Sequence, residues 1–380
     1  MAKNVVIIGS GLGGYTLAKE LRKLDTSCII TIVTKDDGCF YSKPMLSNAY
    51  AKNKTARDLA IQTAEDLSKQ LSANILSCRQ VVAICADHCY IETHQGEKIP
   101  YDDLVLAMGA SQRNIYIGSP RQEIPSVNSL EDYASLREKI DLQSVQRVGI
   151  IGGGLIGCEF ANDLALKGIH VTLFDQNERL MAKILPESIS LALQRELEKL
   201  NITTVLAKPI ESICHENGTY TITLSHQSHT FDYMLSATGL IPNIQLAKDA
   251  GIHANIGIIV NDFLSTNIPH IYALGDCIEW KKQTLPYILP LMSQAKALAK
   301  TLAGNPSPFT TAPYPITIKT PNLPIVSMPP SDTENGSWMI EKAENQNLAT
   351  AYRNSNGQLK GFACSGHFVA DKNKYLAELT

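Results

Sequence analysis

Two runs of the chain have residue types and spacing suited to holding phosphates: Gly9-Ser10-Gly11-Leu12-Gly13-Gly14 and Gly152-Gly153-Gly154-Leu155-Ile156-Gly157. Each follows an apolar run, Val5-Val6-Ile7-Ile8 and Val148-Gly149-Ile150-Ile151, and each leads into a helical pattern. In G-x-G-x-x-G the first glycine allows a tight turn, the second lets a pyrophosphate approach the backbone, and the third lets the helix pack closely on its strand. The phosphates then rest on the free N–H groups and positive end of that helix. A single such run is weak evidence, but two about 140 residues apart mean two dinucleotides.

The second run is followed by a strand, Val171 to Phe174, that ends on Asp175. An acid there hydrogen-bonds the adenosine ribose 2′-hydroxyl and repels a 2′-phosphate. The first arginine beyond it is Arg179, so the reading is NADH rather than NADPH. In the first unit the strand Ile29 to Val33 ends on Thr34 and Lys35, and Asp36-Asp37 follow late. Which of these faces a ribose stays open.

The elements that must position these residues are legible as strands and helices. Helices are expected over Leu12 to Leu24, Leu155 to Lys167, Glu187 to Leu200 and Pro286 to Ala303, the last with a proline suited to a first turn. Residues Ile75 to Glu92 and Lys98 to Ala107 alternate apolar and polar, as a small antiparallel insertion followed by a buried strand does. Beyond residue 309, prolines separate short β-like runs such as Ile316 to Thr320 and Trp338 to Ile340.

With 380 residues, 44% of them hydrophobic, the chain can form two or three domains with buried cores. A net charge of −3 gives no global field for nucleic acid or membrane, although residues 1 to 60 carry nine Lys or Arg against five Asp or Glu. There is no signal pattern and no apolar run of the roughly 18–20 residues a membrane span needs, so a cytoplasmic protein without membrane insertion is expected. Nine cysteines without a C-x-x-C pair fit buried thiols in a reducing compartment. Cys85 and Cys89 read as a hairpin turn and His226 and His229 as a solvent-facing one, so no metal is expected.

Phe40-Tyr41-Ser42-Lys43-Pro44-Met45-Leu46-Ser47 and Leu155-Ile156-Gly157-Cys158-Glu159-Phe160-Ala161-Asn162-Asp163-Leu164 resemble sequences of the rubredoxin reductases. Thr266 to Asp276, ending in Tyr272-Ala273-Leu274-Gly275-Asp276, is similar to the second FAD motif of the wider two-dinucleotide flavoprotein family, which includes ferredoxin reductases and pyridine-nucleotide disulfide reductases. The resemblance runs from Asn4 to about Gly366. It implies an α/β fold with two Rossmann-like dinucleotide-binding domains, as in glutathione reductase, and a small α+β C-terminal domain. The expected FAD domain is 1–111 with 240–308, the NAD domain 112–239 and the small domain 309–380.

The resemblance also implies roles. Lys43 lies beside the flavin ring and Glu159 near nicotinamide and flavin, paired with Lys43. Asp276 accepts from the ribityl chain. Gly9, Gly11, Leu12, Gly13, Gly14, Thr34, Lys35, Val82, Gly152, Gly154, Gly157, Asp175, Gly275, Ile288 and Lys319 are the further cofactor-binding candidates, with Gly109 and Gly239 at the crossing points between the FAD and NAD domains. Disulfide-active relatives need a thiol over the flavin, where Ser42-Lys43-Pro44 stands here; Cys39 is the nearest thiol.

The implied reaction is hydride transfer from NADH to flavin, then single-electron transfer to rubredoxin, as in alkane hydroxylation or oxygen defence. Alternative acceptors are a ferredoxin or the rubredoxin-like domain of a nitric oxide reductase. A flavin-bound, NADH-responsive interaction protein is a different class of answer.

Overall fold

The computed structural model describes residues 2–117, 122–331 and 335–379. By their contacts these residues form two compact units, one of 1–42, 60–111 and 240–312, the other of 43–59, 112–239 and 313–380. Segment 43–59, assigned from the sequence to the first nucleotide unit, groups with the second.

The first unit is built on β1 (Asn4–Ile8), α1 (Leu12–Leu24), β2 (Ile29–Val33), β3 (Asn74–Leu76) and β4 (Asp103–Leu106). With Ile271–Ala273 these strands form one parallel sheet in the order Ile271–Ala273, β4, β1, β2, β3. A parallel sheet is covered on both faces, which is why its strands are continuous apolar runs. Val5, Val6, Ile7, Ile30, Ile32, Leu104 and Val105 have no exposed surface, and each such burial contributes about 1.5–3 kcal/mol. α1 packs against the helix Ile288–Leu302.

Two expectations are corrected here. Asn74–Leu76 belongs to the main sheet, running parallel to β2 with Thr31 opposite Asn74, and the antiparallel insertion is only Val81–Cys85, Tyr90–Thr93 and Lys98–Pro100. Three residues are too few to show their pairing partner by periodicity. The helix expected from Pro286 begins at Ile288, because Tyr287 is its extended N-cap; Pro290, not Pro286, is the proline of its first turn, where no N–H is required.

The second unit repeats the plan with β5 (Arg147–Ile151), α2 (Leu155–Ala165), β6 (His170–Asp175), β7 (Ile202–Leu206) and β8 (Tyr233–Ser236). Its parallel sheet has the order β7, β6, β5, β8. A 3-10 helix, Lys43–Asn48, packs on α2. The C-terminal part is a five-stranded antiparallel sheet ending in the helix Lys372–Leu379. Among the described residues no helix is long and apolar enough to cross a membrane.

Candidate functional site

Both glycine runs fold into the same turn. Gly9 has φ +117° and Gly152 φ +115°, a region side chains avoid; a Cβ at Gly9 would strike the carbonyl of Ala107, and one at Gly152 that of Ala237. A Cβ at Gly14 would strike the Gly9 carbonyl, and one at Gly157 the Gly152 carbonyl, so strand and helix touch through these glycines. Gly11 and Gly154, by contrast, face space with nothing within 4 Å. Each is the N-cap of its helix, with no side chain capping the free N–H groups. An open cradle in front of uncapped donors fits a pyrophosphate, and the molecule has two.

Beside the first cradle, Leu12 opens α1 and Gly13 packs against Leu274 and Leu291. At the end of β2, where a ribose-binding acid is usual, Thr34 donates to Asp36 Oδ1 at 2.6 Å, and Ser10 donates to both Thr34 Oγ1 and Asp36 Oδ1, at 2.8 and 3.0 Å. The acid displaced by two positions thus folds back onto the glycine turn, with Lys35 exposed between. Gly109 follows β4, and Gly275-Asp276 lie in a 3-10 turn held by Gln294, which accepts the Gly275 N–H at 2.7 Å. Gln294 is fully buried, and its Nε2 has no partner. Val82 and Ile288 are exposed apolar side chains, at 49% and 43%. Cys39 donates to Gln62 O at 3.2 Å, and burial, then Asp37 and Asp36, push its thiol upward, away from a reactive thiolate.

Beside the second cradle, Asp175 accepts the Gly153 N–H at 2.5 Å and the Asn177 N–H at 2.8 Å, so the acid that ends β6 also sets the glycine turn. Gly239 follows β8.

Glu159 is where the segment before Tyr50, α2 and the C-terminal part converge. It is 3% exposed. Its Oε2 accepts from Ser47 Oγ at 2.5 Å and Asn48 Nδ2 at 3.4 Å, and its Oε1 accepts the Lys319 N–H at 2.9 Å. The Lys319 ammonium lies 3.7 Å from Oε2 and also donates to the Pro44 carbonyl. Lys319 is thus a cation set directly against Glu159. Lys43 opens the 3-10 turn on its exposed side and reaches Asn128 Oδ1 at 3.4 Å, while the turn delivers Ser47 to the helix. Ser47, Asn48 and Lys319 together fix the orientation of the Glu159 carboxylate.

One helical turn on, Asp163 is 4% exposed and accepts the N–H groups of Tyr50 and Ala51 at 2.8 and 3.1 Å. Burial pushes its carboxyl up to about 6 against those hydrogen bonds and Lys52. Ser10, Ser47, Asn48, Asp163 and Gln294 were not singled out from the sequence. For Asp163 the four-residue spacing from Glu159 was the available signal.

The chain belongs to the pyridine nucleotide-disulphide oxidoreductases, whose family profile matches residues 3–297, and residues 310–379 match the rubredoxin binding C-terminal domain. It is 41% identical over 378 residues to the rubredoxin-NAD(+) reductase of Alcanivorax borkumensis, covering 99% of this chain and 98% of that relative. It is 35% identical to the nitric oxide reductase FlRd-NAD(+) reductase of Vibrio vulnificus, covering 100% of this chain and 99% of the other. The fold is that of a ferredoxin reductase from Rhodopseudomonas palustris, with a TM-score of 0.87 at 24% identity, covering 96% of this chain and 91% of that one.

Proposed function

We propose that this protein is an FAD-dependent NADH:rubredoxin oxidoreductase acting in the cytoplasm, taking two electrons from NADH and delivering them singly to two rubredoxins. The observation that carries this reading is the rubredoxin binding domain at 310–379, on a chain whose nucleotide units each present an open glycine cradle. Bound FAD supplies the conversion of a hydride into two single electrons, which nicotinamide cannot do. The residues of the chain bind and orient. Gly11 and the α1 N-terminus receive the FAD pyrophosphate, with Asp276 toward the ribityl chain; Gly154 and the α2 N-terminus receive that of NADH, with Asp175 on its ribose.

Glu159, engaged by Ser47, Asn48 and Lys319, holds the Lys319 ammonium in place. Lys319 and Lys43 then supply positive charge where negative charge develops on the reduced cofactor. Free cysteines at all nine positions support a reducing compartment. The test is NADH oxidation by the FAD-loaded protein against rubredoxin and ferredoxin: rubredoxin-dependent turnover that falls steeply with salt is expected, and turnover with ferredoxin alone contradicts it. A second acceptor, the rubredoxin-like domain of a nitric oxide reductase, is favoured by the 35% identity to the Vibrio vulnificus relative.

A further inference from the structure

Glu159 and Asp163 stand at i and i+4 on α2, one above the other on its buried face, at 3% and 4% exposure. Both accept hydrogen bonds from the same short segment, Glu159 from Lys319 as well. Ser47 and Asn48 reach Glu159, and the amides of Tyr50 and Ala51 reach Asp163, each in the same chain direction along the helix. A buried acid is costly, and an apolar side chain at this position would bury more surface without that cost. What the acid adds is register: two adjacent backbone amides satisfied by two oxygens of one carboxylate admit a single alignment of the segment.

We propose that Asp163 is a positioning residue that fastens the segment containing Lys43 and Ser47 to α2, so that Ser47 and Asn48 meet Glu159 and Lys319 can bridge Glu159 and Pro44. The inference rests on the reading that Glu159 and Lys43 serve electron transfer. The hydrogen-bond partners of Asp163 are the amides of Tyr50 and Ala51, with the Ala49 amide and Lys52 close by. Asn at this position keeps the shape but turns an NH2 toward one of the two N–H groups, so the two-point grip is lost.

The experiment uses the FAD-loaded full-length protein as wild type, Asp163→Asn and Asp163→Glu, read first by amide hydrogen exchange. In Asp163→Asn, protection at Tyr50 and Ala51 is expected to fall tenfold or more, on the order of one charge-assisted hydrogen bond, while amides of β5 and β6 keep theirs. Reduction of the bound FAD by NADH is expected to slow about tenfold with NADH affinity unchanged. Asp163→Glu, which keeps the carboxylate, is expected to recover part of both. Adding Ser47→Ala is expected to slow reduction much less in the Asp163→Asn background than in wild type, because Ser47 no longer sits at Glu159.

Unchanged protection at Tyr50 and Ala51, or fully additive Ser47 and Asp163 effects, overturns the proposal. If instead Lys43→Ala and Glu159→Gln reduce at the wild-type rate while protection in Asp163→Asn still falls, the reading of those two residues has failed, and with it the functional half of the inference.

Discussion

Lys319 holds Glu159 twice, through its backbone amide at 2.9 Å and its ammonium at 3.7 Å, although the two lie 160 positions apart. The residue that follows the strand Ile316–Ile318 of the C-terminal part is thereby tied to α2, and through Pro44 to the Lys43–Asn48 turn.

Lys319→Met removes the ammonium and keeps the amide bond. Lys319 is about a third exposed, which discounts the penalty of a broken buried pair, so a loss of about 1 kcal/mol is expected. Lys43→Ala, on an exposed turn, is expected to cost less than about 0.5 kcal/mol. Urea midpoints of the two variants check the difference; equal midpoints would remove the ammonium from the support of Glu159.

The cradles separate folding from cofactor binding. An added Cβ at Gly11 or Gly154 meets nothing, whereas at Gly14 or Gly157 it strikes a backbone carbonyl. Gly11→Ala and Gly154→Ala are expected to keep the stability of the cofactor-free protein within about 1 kcal/mol. Gly11→Ala is expected to lose bound flavin, measured by its visible absorbance, and Gly154→Ala to bind NADH at least tenfold more weakly. Gly157→Ala is expected to fold poorly. Undiminished NADH affinity in Gly154→Ala would take the pyrophosphate out of the second cradle.

Asp175 ends β6 with its carboxylate on the Gly153 and Asn177 amides. Asp175→Asn keeps the shape and removes the charge that repels a 2′-phosphate, a repulsion of about 1–2 kcal/mol near a protein surface. The ratio of kcat/KM for NADH over NADPH is expected to fall about tenfold. An unchanged ratio would mean that another residue selects the coenzyme.

Much of this was legible in the sequence, and the exceptions share a cause. α1 and both glycine turns fall where apolar runs meet glycine, because there local chemistry alone dictates the backbone. β3 was misread because three residues do not reveal their partner, and the start of the helix at Ile288 because Pro286 and Pro290 are each acceptable near a helix N-terminus. Ser10 meets Thr34 and Asp36 across 24 and 26 positions, and Lys319 meets Glu159 across 160, and nothing in local spacing encodes such meetings. Asp163 stood in the quoted motif, yet its burial became visible only once α2 had neighbours.

The Asp163 carboxyl is raised from its ordinary 3.8 to about 6, by burial first. A raised value in the folded state means that its contribution to stability is complete below pH 3.8 and is lost as pH climbs through 6, on the order of 3 kcal/mol in all. Asp163→Asn lacks this titration. The stability advantage of wild type over the variant is therefore expected to shrink by about 2–3 kcal/mol between pH 4 and pH 7, read from paired denaturation curves. A constant difference across that range would contradict the assignment.

The most direct test of the central claim is stopped-flow and steady-state NADH oxidation by the FAD-loaded protein with rubredoxin present or absent. The account predicts rapid flavin reduction by NADH in both cases and multiple turnovers only with rubredoxin, at two rubredoxins reduced per NADH. Rapid flavin reduction without any rubredoxin-dependent turnover would contradict it.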